Sequence, residues 1–342
     1  MNYKRTGSTI NDIARAAHVS PTTVSRVLSD GSYPVSEEAR KRVFAAADAL
    51  NYTPKGKLRP SERDVVVMIP NLSNLYYAAL LSGLETSLRM FGLNTLLMNT
   101  KGDISLEKRL VNELCRRDSV RVIISPVCDD LRHLQPLFSS NVPLVVMEQP
   151  SAGERSTISV NFFHGGEMIT EYLVQRGMRR IAFLGAPLSR FSRTQVYEGY
   201  CSALKKADIK AEPELTFIAE EEPPAKDDIS PFYTGMFLLD HMVRSCSKLP
   251  DAIICGNDIT AIGALRRLQE LGIRVPDDIS VAGYDNIFPS AVSFPPLTTV
   301  DQCTYEMGSM AAEILYGNLM DPDRQHVNTI LEPKLIIRET VR

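Results

Sequence analysis

Residues Ser20–Ser29 read SPTTVSRVLS, and this short stretch carries two different faces. A serine followed by a proline is typical of a helix start, because the hydroxyl can accept from a free first-turn amide and the proline needs no amide there. At 100° per residue, one side of this helix is apolar, with Val24, Val27 and Leu28. The other side carries only hydroxyls and one guanidinium, from Thr22, Ser25, Arg26 and Ser29. We expect the apolar side to pack and the polar side to face a ligand.

Two further helices flank this stretch. Thr9 and Asp12 have the spacing of a capping box at the start of a first helix, and a turn around His18 connects that helix to the second. A third helix begins at Ser36, with two glutamates near its positive end. Two short helices joined by a tight turn and braced by a third match the helix-turn-helix arrangement, whose second helix enters the DNA major groove. A small bundle with a solvated polar face fits the same periodicity.

The residue types on the polar face suit the recognition of base pairs. Short hydroxyls approach base edges without bulk, Arg26 can donate two parallel bonds to guanine, and a threonine methyl can contact that of thymine. Lys41 and Arg42 in the third helix are candidates for backbone phosphates. The predicted DNA contacts of the second helix are Ser20, Pro21, Thr22, Thr23, Ser25, Arg26 and Ser29.

The whole chain has the composition of an ordinary globular protein. Its 342 residues are 44% apolar and 23% charged, which allows two or three domains. Residues 1–64 hold 11 Lys and Arg against 7 Asp and Glu, the sign that a phosphate-binding module needs. No apolar run approaches the ~18 residues of a membrane span, and the N-terminus lacks a secretory signal, so we expect a cytoplasmic protein without membrane contact. The cysteines and histidines lack ligand spacing, so no metal and no cofactor is predicted.

Apolar, strand-like runs alternate with helical segments beyond residue 64. This alternation predicts parallel sheets with helices on both faces. Ligands bind such sheets beyond the carboxyl ends of the strands. We therefore expect a pocket near the segments PNLSNLYY (70–77), GND (256–258) and GYDN (283–286), each of which follows a predicted strand.

These segments, in their order, resemble the lactose-repressor (LacI) family of bacterial transcription regulators. The similarity begins with TINDIARAAHVSPTTVSRVLSDG (9–31) and continues through DAIICGNDITAIGALRRLQELGIRVPDDISVAGYDN (251–286) to PPLTTVDQ (295–302). The resemblance implies a small all-α helix-turn-helix head and an α/β core of the periplasmic-binding-protein type, with two similar Rossmann-like subdomains.

The resemblance also implies domain boundaries. It places a DNA-binding domain at 1–53, a shortened hinge or linker at 54–64, and an effector-binding and dimerisation core at 65–342. Within the core, the N-terminal subdomain would cover about 65–161 and 300–325, and the C-terminal subdomain about 162–299 and 326–342.

An effector pocket between the two subdomains is a further implication of the resemblance. Aromatic rings would cover a sugar or base face, while amides and a carboxylate would fix hydroxyls. Each position also has a purely structural interpretation, because a tyrosine pair is often part of a core and an asparagine after a strand is often a helix cap. The predicted effector residues are Tyr76, Tyr77, Asn161, Arg193, Asn257, Asp285 and Gln302.

Two departures from the family pattern fall in this predicted pocket. Val196 stands where family members usually carry an arginine that anchors the effector, and Asn161-Phe162 replaces an Asp-Asn pair. Arg190 and Arg193 lie nearby and could reach the cleft by another route, although a solvated loop fits equally well. We therefore expect an effector that is less polar or differently charged than a simple neutral sugar, or a site of reduced affinity.

The linker and the first turn depart from the pattern as well. The family normally has a hinge helix whose leucine wedges into the DNA minor groove. Here Pro54 and Pro60 bracket five residues that include Gly56, so we expect this helix to be short or absent. Leu58 is the predicted wedge and the last predicted DNA contact. His18 replaces a turn glycine, and histidine tolerates positive φ better than most residues.

The sequence predicts a regulator rather than an enzyme. It lacks the common phosphate-loop, dinucleotide, zinc-protease and serine-hydrolase motifs, so catalysis is not predicted. The predicted function is a sequence-specific DNA-binding transcriptional repressor, a homodimer that binds a near-palindromic operator in double-stranded DNA under the control of a small-molecule effector, a sugar or sugar derivative. The alternative is a solute- or sugar-binding receptor without regulatory DNA binding, which would require export.

Overall fold

The computed structural model describes residues 9–28, 35–50, 52, 63–117, 120–153, 155–220 and 230–342. The chain divides into two compact units, Met1–Arg63 and Asp64–Arg342. The predicted DNA contacts Ser29 and Leu58 lie outside the described residues, and so does most of the predicted linker.

The first unit contains three helices, α1 (Ile10–Ala17), α2 (Pro21–Leu28) and α3 (Glu37–Ala49). The predicted capping box is confirmed, because the Thr9 hydroxyl accepts from the Asp12 amide and the Asp12 carboxylate accepts from the Thr9 amide at 2.8 Å. His18 ends α1 with a φ of 53°, in the left-handed region. Ser20 caps α2, since its hydroxyl accepts from the Thr23 amide at 3.0 Å. Local hydrogen bonds therefore define the turn between α1 and α2.

The three helices of the first unit share one small apolar core. Val24 and Val27 of α2 pack into the same cluster as Ile13 of α1 and Val43 of α3. Ile13, Val24 and Val43 are completely buried. The prediction that the valine side of α2 packs on neighbouring helices is confirmed.

The second unit is an α/β structure, as predicted. Its strands are β1 (Asp64–Ile69), β2 (Asn94–Asn99), β3 (Val122–Ile124), β4 (Leu144–Met147), β5 (Ser156–Val160), β6 (Ile181–Gly185), β7 (Thr216–Ile218), β8 (Ala252–Cys255), β9 (Ser280–Ala282), β10 (Thr299–Asp301), β11 (Asn328–Leu331) and β12 (Lys334–Ile336). Its helices are α4 (Leu75–Met90), α5 (Ile104–Leu114), α6 (Gln135–Phe138), α7 (Phe162–Gln175), α8 (Phe191–Lys206), α9 (Ser230–Ser245), α10 (Asp258–Glu270), α11 (Phe288–Val292) and α12 (Thr304–Met320).

Two parallel sheets organise this unit. The first has the strand order β11-β5-β4-β3-β1-β2, and the second has the order β7-β6-β8-β9. We call the first sheet with α4, α5, α6 and α12 the first subdomain, and the second sheet with α7 to α11 the second subdomain. Strand β1 is a continuous apolar run whose residues 65–69 are at most 2% exposed. Such runs are typical of parallel strands that are covered by helices on both faces.

The chain passes between the two subdomains three times. The chain leaves the first subdomain after β5 and returns to it through β10, which leads into α12. Helix α12 packs on α4 of the first subdomain. The chain then leaves the first subdomain again between β11 and β12. Strand β11 pairs with β5 in the first sheet, with Asn328 opposite Thr157. The sequence analysis assigns residues 326–342 to the C-terminal subdomain. This prediction is wrong for β11, which belongs to the sheet of the first subdomain. The sequence of this short edge strand gives no local signal for its distant partner.

Glycines bring α4 and α12 close together in the first subdomain. A Cβ atom on Gly83 would overlap the backbone carbonyl of Tyr305, and a Cβ atom on Gly308 would overlap that of Leu80. At its start, α4 is capped by Asn74, whose side-chain oxygen accepts from the Tyr76 amide at 3.1 Å. Packing and cap together fix the tyrosines at the beginning of α4.

Candidate DNA-binding face and effector cleft

The polar side of α2 is exposed in the first unit. Thr22, Ser25 and Arg26 are exposed, and Pro21 beside them is exposed as well. Thr23 is half-buried, and its hydroxyl lies 2.8 Å from that of Ser20, so both contribute to the cap. Hydroxyls and a guanidinium on a helix whose opposite side is packed make a surface that can approach base edges.

Two cations of α3 can contribute phosphate contacts beside this face. Lys41 and Arg42 are both exposed, while Val43 beside them is completely buried. Phosphate contacts of this kind orient a helix-turn-helix on the duplex without reading its sequence. The exposed side of α2 and these two cations are therefore candidates for contacts with bases and with the phosphate backbone.

Four of the predicted effector residues lie in one cluster in the second unit, which we call the cleft cluster. Tyr76 and Tyr77 are each 6% exposed, and their ring centroids lie 5.1 Å apart in a perpendicular arrangement. Asp285 accepts from Gln302 Nε2 at 2.5 Å. Burial raises the pKa of Tyr76, and nearby carboxylates, Asp285 among them, raise it further. The tyrosines of the first subdomain therefore lie near the carboxyl group of the second.

The sequence analysis missed two members of the cleft cluster. Glu148 Oε2 accepts from the Tyr77 hydroxyl at 3.2 Å and also from the Ser125 hydroxyl. Glu148 directly follows β4 and Ser125 directly follows β3. The rule that ligands bind beyond the carboxyl ends of parallel strands could have found both of them.

Arg190 connects the two subdomains across the cleft. It precedes α8 in the second subdomain, and its Nη2 donates to the Pro126 carbonyl of the first subdomain at 3.1 Å, while Nη1 donates to the Val127 carbonyl. The Asp129 carboxylate lies 3.9 Å from Arg190 Nε and accepts from the Phe191 amide. We call these contacts the Arg190 latch. The latch joins the start of α8 to the 126–129 segment of the first subdomain.

A buried pair supports the loop that carries the latch carbonyls. The Glu107 side chain is completely buried, and its oxygens lie 3.1 and 3.2 Å from the Val127 amide that donates to them. His133 Nε2 lies 2.5 Å from Glu107 Oε1, and His133 Nδ1 lies 2.9 Å from the Asp130 carbonyl. The hydrogen bond with Glu107 raises the pKa of His133. This pair holds both ends of the 127–130 segment.

The other three predicted effector residues have structural partners. Asn161 caps α7, and Asn257 caps α10 by accepting from the Thr260 amide at 2.8 Å. Arg193 Nη1 donates to the Pro187 carbonyl at 3.1 Å. A small cavity of the second subdomain is lined by Phe183, Gly185, Ala186, Leu188, Arg193, Val196, Gly256 and Asn257. The helix-cap interpretation thus applies to both asparagines, and Asn257 also faces this cavity.

Across the described ranges, the structure contains no group of three or more His, Cys, Asp or Glu side chains that could hold a metal ion. None of its described helices combines the length and the apolar character that a membrane crossing requires.

The fold and the site define a class of protein: a helix-turn-helix transcriptional regulator with a periplasmic-binding-protein-like core. The family model "Bacterial regulatory proteins, lacI family" matches residues 9–55, and the model "Periplasmic binding protein-like domain" matches residues 170–341. The HTH-type transcriptional repressor PurR of Mannheimia succiniciproducens is 32% identical to this chain, over 98% of this chain and 99% of that protein.

Solved structures agree with these matches. A transcriptional regulator of the LacI family from Silicibacter pomeroyi has a TM-score of 0.73 and 27% identity, covering 98% of this chain and 100% of that one. The transcriptional regulator CelR, in a complex with cellobiose, has a TM-score of 0.72 and 25% identity, covering 97% and 99%. The chain therefore belongs to the lacI family of bacterial regulatory proteins, and it is a DNA-binding transcriptional repressor rather than an enzyme. The lacI-family match at residues 9–55 favours a regulator over the alternative of a receptor without regulatory DNA binding.

Proposed function

We propose that this repressor binds a near-palindromic operator as a homodimer in the cytoplasm, and that a sugar or sugar derivative bound in the cleft controls its operator affinity. The observation that carries the proposal is the exposed side of α2, where Thr22, Ser25 and Arg26 lie opposite the buried Val24 and Val27. A helix-turn-helix presents this side of its second helix to the major groove.

Each polar residue of α2 has a role in this proposal. Arg26 donates to guanine, the methyl group of Thr22 contacts thymine, and Ser25 bonds a base edge or phosphate. Ser20, Pro21 and Thr23 lie at the helix start, where amides and hydroxyls approach the phosphate backbone. Ser29 and Leu58 remain proposed contacts on the basis of the family resemblance.

Exposed apolar side chains, four aromatic rings and one valine, mark the face that we assign to a second copy of the chain. We call this set the aromatic face: Tyr233 (62% exposed), Phe237 (68%), Phe288 (78%), Val292 (64%) and Phe294 (93%). Large exposed apolar patches on soluble proteins mark sites of protein association. Two copies are also what a near-palindromic site requires, because each half-site takes one head.

The members of the aromatic face lie on either side of the start of α10. Gly235, between Tyr233 and Phe237 of α9, lies directly against the backbone of Thr260. Asp258, two residues earlier, accepts from the Ile287 amide at 3.0 Å, and Phe288 follows directly. The segment that carries Phe288 and the helix that carries Phe237 are thus anchored to the same turn of α10.

The effector would act on the closed cleft. Tyr76 and Tyr77 would cover one face of a ring, Asp285 and Gln302 would bond its polar groups, and the adjoining cavity with Arg193 and Asn257 would take a substituent. Asn161, as the cap of α7, would support the cleft wall. A ligand shifts a conformational equilibrium only when its affinities for the two states differ. An effector that binds the closed cleft more tightly than the open cleft therefore stabilises the closed state. The operator affinity of the protein then becomes that of the closed state, whether this is higher or lower. The cellobiose complex of the similar regulator CelR supports a sugar.

A gel shift with the promoter of the chain's own gene tests the proposal. We expect the full-length protein to retard this duplex at low salt and Arg26→Ala to weaken binding by about 1–3 kcal/mol. Arg89→Ala is the matched control, because Arg89 is a 78% exposed arginine of the second unit that only pairs with Glu85. Equal retardation by wild type and Arg26→Ala would contradict the assignment of α2.

A further inference from the structure

We infer that Glu107 and His133 form a proton-dependent control of the Arg190 latch: the pair holds one proton while the latch is intact, and loss of that proton loosens the contact between the two subdomains. The inference goes beyond the proposed function, in which a bound effector controls the operator affinity. It is supported by the protons that the pair requires, by the position of Val127 between the pair and the latch, and by the charges around His133.

The contacts of His133 require more protons than a neutral imidazole carries. Nδ1 lies 2.9 Å from the Asp130 carbonyl oxygen, and Nε2 lies 2.5 Å from Glu107 Oε1. A carbonyl oxygen can only accept, and so can an ionised carboxylate. A neutral imidazole has a single N–H, so it can donate to one of these oxygens but not to both. The pair therefore contains one further proton, carried either by the imidazolium or by the carboxyl group of Glu107.

Burial makes the loss of this proton costly. The Glu107 side chain is completely buried, and that of His133 is 7% exposed. Without the proton, the lone pair of Nε2 faces an ionised carboxylate inside the protein, where such interactions are stronger than in water. A buried carboxylate that loses its donor is unfavourable unless it moves to another partner. Deprotonation of the pair therefore displaces the ring, the carboxylate or both.

Val127 lies between the pair and the latch. Its amide donates to both carboxylate oxygens of Glu107, at 3.2 and 3.1 Å. Its carbonyl accepts from Arg190 Nη1, and the preceding carbonyl, that of Pro126, accepts from Nη2 at 3.1 Å. A displacement of Glu107 therefore moves the residue that binds the second subdomain.

The other end of the same segment is coupled to the pair as well. His133 Nδ1 contacts the Asp130 carbonyl, and the neighbouring Asp129 carboxylate accepts from the Phe191 amide. Phe191 follows Arg190 and is the first residue of α8 in the second subdomain. The latch groups of the first subdomain thus lie within one residue of an atom that the pair holds.

The described charged and titratable groups beside this pair keep one protonation state over the relevant pH range. Arg132 Nε donates to Asp130 at 2.8 Å and lowers the pKa of that carboxyl group to about 2, so it stays ionised. Burial raises the pKa of the Cys128 thiol, which therefore stays protonated. The hydrogen bond to Glu107 raises the pKa of His133, although burial opposes this effect. Among these described groups, the pair accounts for the proton that is lost between about pH 6 and about pH 8.5.

The sign of the effect follows from the raised pKa of His133. The pair is fully protonated below the unperturbed histidine pKa of about 6.5, and it loses its proton as the pH rises through the raised value. The latch is therefore intact at low pH and loosened at high pH. Under the proposed function, operator affinity depends on the arrangement of the subdomains, so it would change over the same range. This last consequence rests on the proposed function.

Amide hydrogen exchange of the full-length protein without ligand tests the inference. The exchange rate of the Phe191 amide is measured at about pH 6 and about pH 8.5, and each rate is divided by the intrinsic rate at that pH to give a protection factor. We expect the protection of Phe191 to fall about fivefold or more as the pH rises, the factor that corresponds to about one hydrogen bond. A purely local role of the pair would change exchange only at residues 127–130.

Two variants identify the proton. His133→Gln keeps a side chain that can donate to Glu107 but does not titrate, so the protection of Phe191 should not depend on pH in this variant. His326→Gln replaces an exposed histidine and is the matched control, which should behave like wild type. Glu107→Gln should abolish the pH dependence as well. Melting temperatures show which variants are folded, and His133→Gln decides the inference if Glu107→Gln does not fold.

Three outcomes would overturn the inference: equal protection of Phe191 at both pH values in wild type, a pH effect confined to residues 127–130, or a pH effect at Phe191 that persists in folded His133→Gln. The exchange measurement uses no DNA, so retardation of the promoter duplex by the same protein preparation tests the proposed function separately. A protein that retards the duplex but shows no pH effect at Phe191 remains a repressor without this control.

Discussion

Arg190 Nη2 lies 3.1 Å from the carbonyl oxygen of Pro126, and this bond joins the second subdomain to the first. With the bond to Val127 it fixes the separation of the two halves in the closed state. Hydrogen bonds from a charged donor are each worth about 1.5–3 kcal/mol. The latch therefore contributes to the balance between closed and open cleft that the effector would use.

We predict that Arg190→Ala opens the cleft. Loss of two such bonds shifts the equilibrium toward the open state by at least about tenfold. Small-angle scattering of the full-length protein should show a larger radius of gyration for this variant. Arg266→Ala is the control, because Arg266 pairs with Glu270 on the surface of α10 at 57% exposure. Scattering curves that superimpose for wild type and Arg190→Ala would contradict a role for the latch.

The Glu107 and His133 pair predicts a pH-dependent stability. The pKa of His133 is raised in the folded state by its bond to Glu107, so the stabilisation is complete below the unfolded pKa of about 6.5 and is lost as pH rises through the folded value. As the pH falls from about 8.5 to about 6, the free energy of unfolding should increase more for wild type than for His133→Gln, as measured by urea unfolding. His326→Gln, at an exposed position, is the control. An identical pH dependence of wild type and His133→Gln would exclude this role.

Ser20 and Ser25 should differ in what they contribute to the stability of the head. Ser20 caps α2 through the Thr23 amide, so Ser20→Ala should cost about 1 kcal/mol of head stability. Ser25→Ala should leave stability unchanged, since Ser25 is exposed inside the helix, but should weaken operator binding. Amide exchange in α2 reports the first effect and fluorescence anisotropy with the promoter duplex reports the second. Equal behaviour of the two variants in both measurements would contradict the assigned roles.

The aromatic face predicts a change in oligomeric state. Phe288→Glu places a charge where a second copy is proposed to pack, so sedimentation velocity should show a monomer and operator affinity should fall with it. Leu271→Glu is a matched control, because Leu271 is 40% exposed at the opposite end of α10. A dimer that persists in Phe288→Glu at the same protein concentration would place the interface elsewhere.

The sequence predicts the elements of the fold better than their long-range partners. Caps such as Ser20 and the Thr9–Asp12 capping box and the apolar side of α2 follow from local spacing, and these elements have the expected form. The cap and ligand interpretations of Asn257 rest on the same local signal, so spacing alone leaves them undecided. The latch partners Arg190 and Pro126 come from different sheets, and strand β11 pairs with a strand far away in the sequence. Only tertiary packing determines such pairs.

The most direct test of the central claim is a selection from a random pool of DNA duplexes with the full-length protein at low salt, followed by the same selection with Arg26→Ala. The account predicts that wild type enriches a near-palindromic sequence with guanine in each half-site, and that Arg26→Ala loses the preference for that guanine. A wild-type pool without any enriched sequence, or an unchanged preference in Arg26→Ala, would contradict the claim that the exposed side of α2 reads DNA.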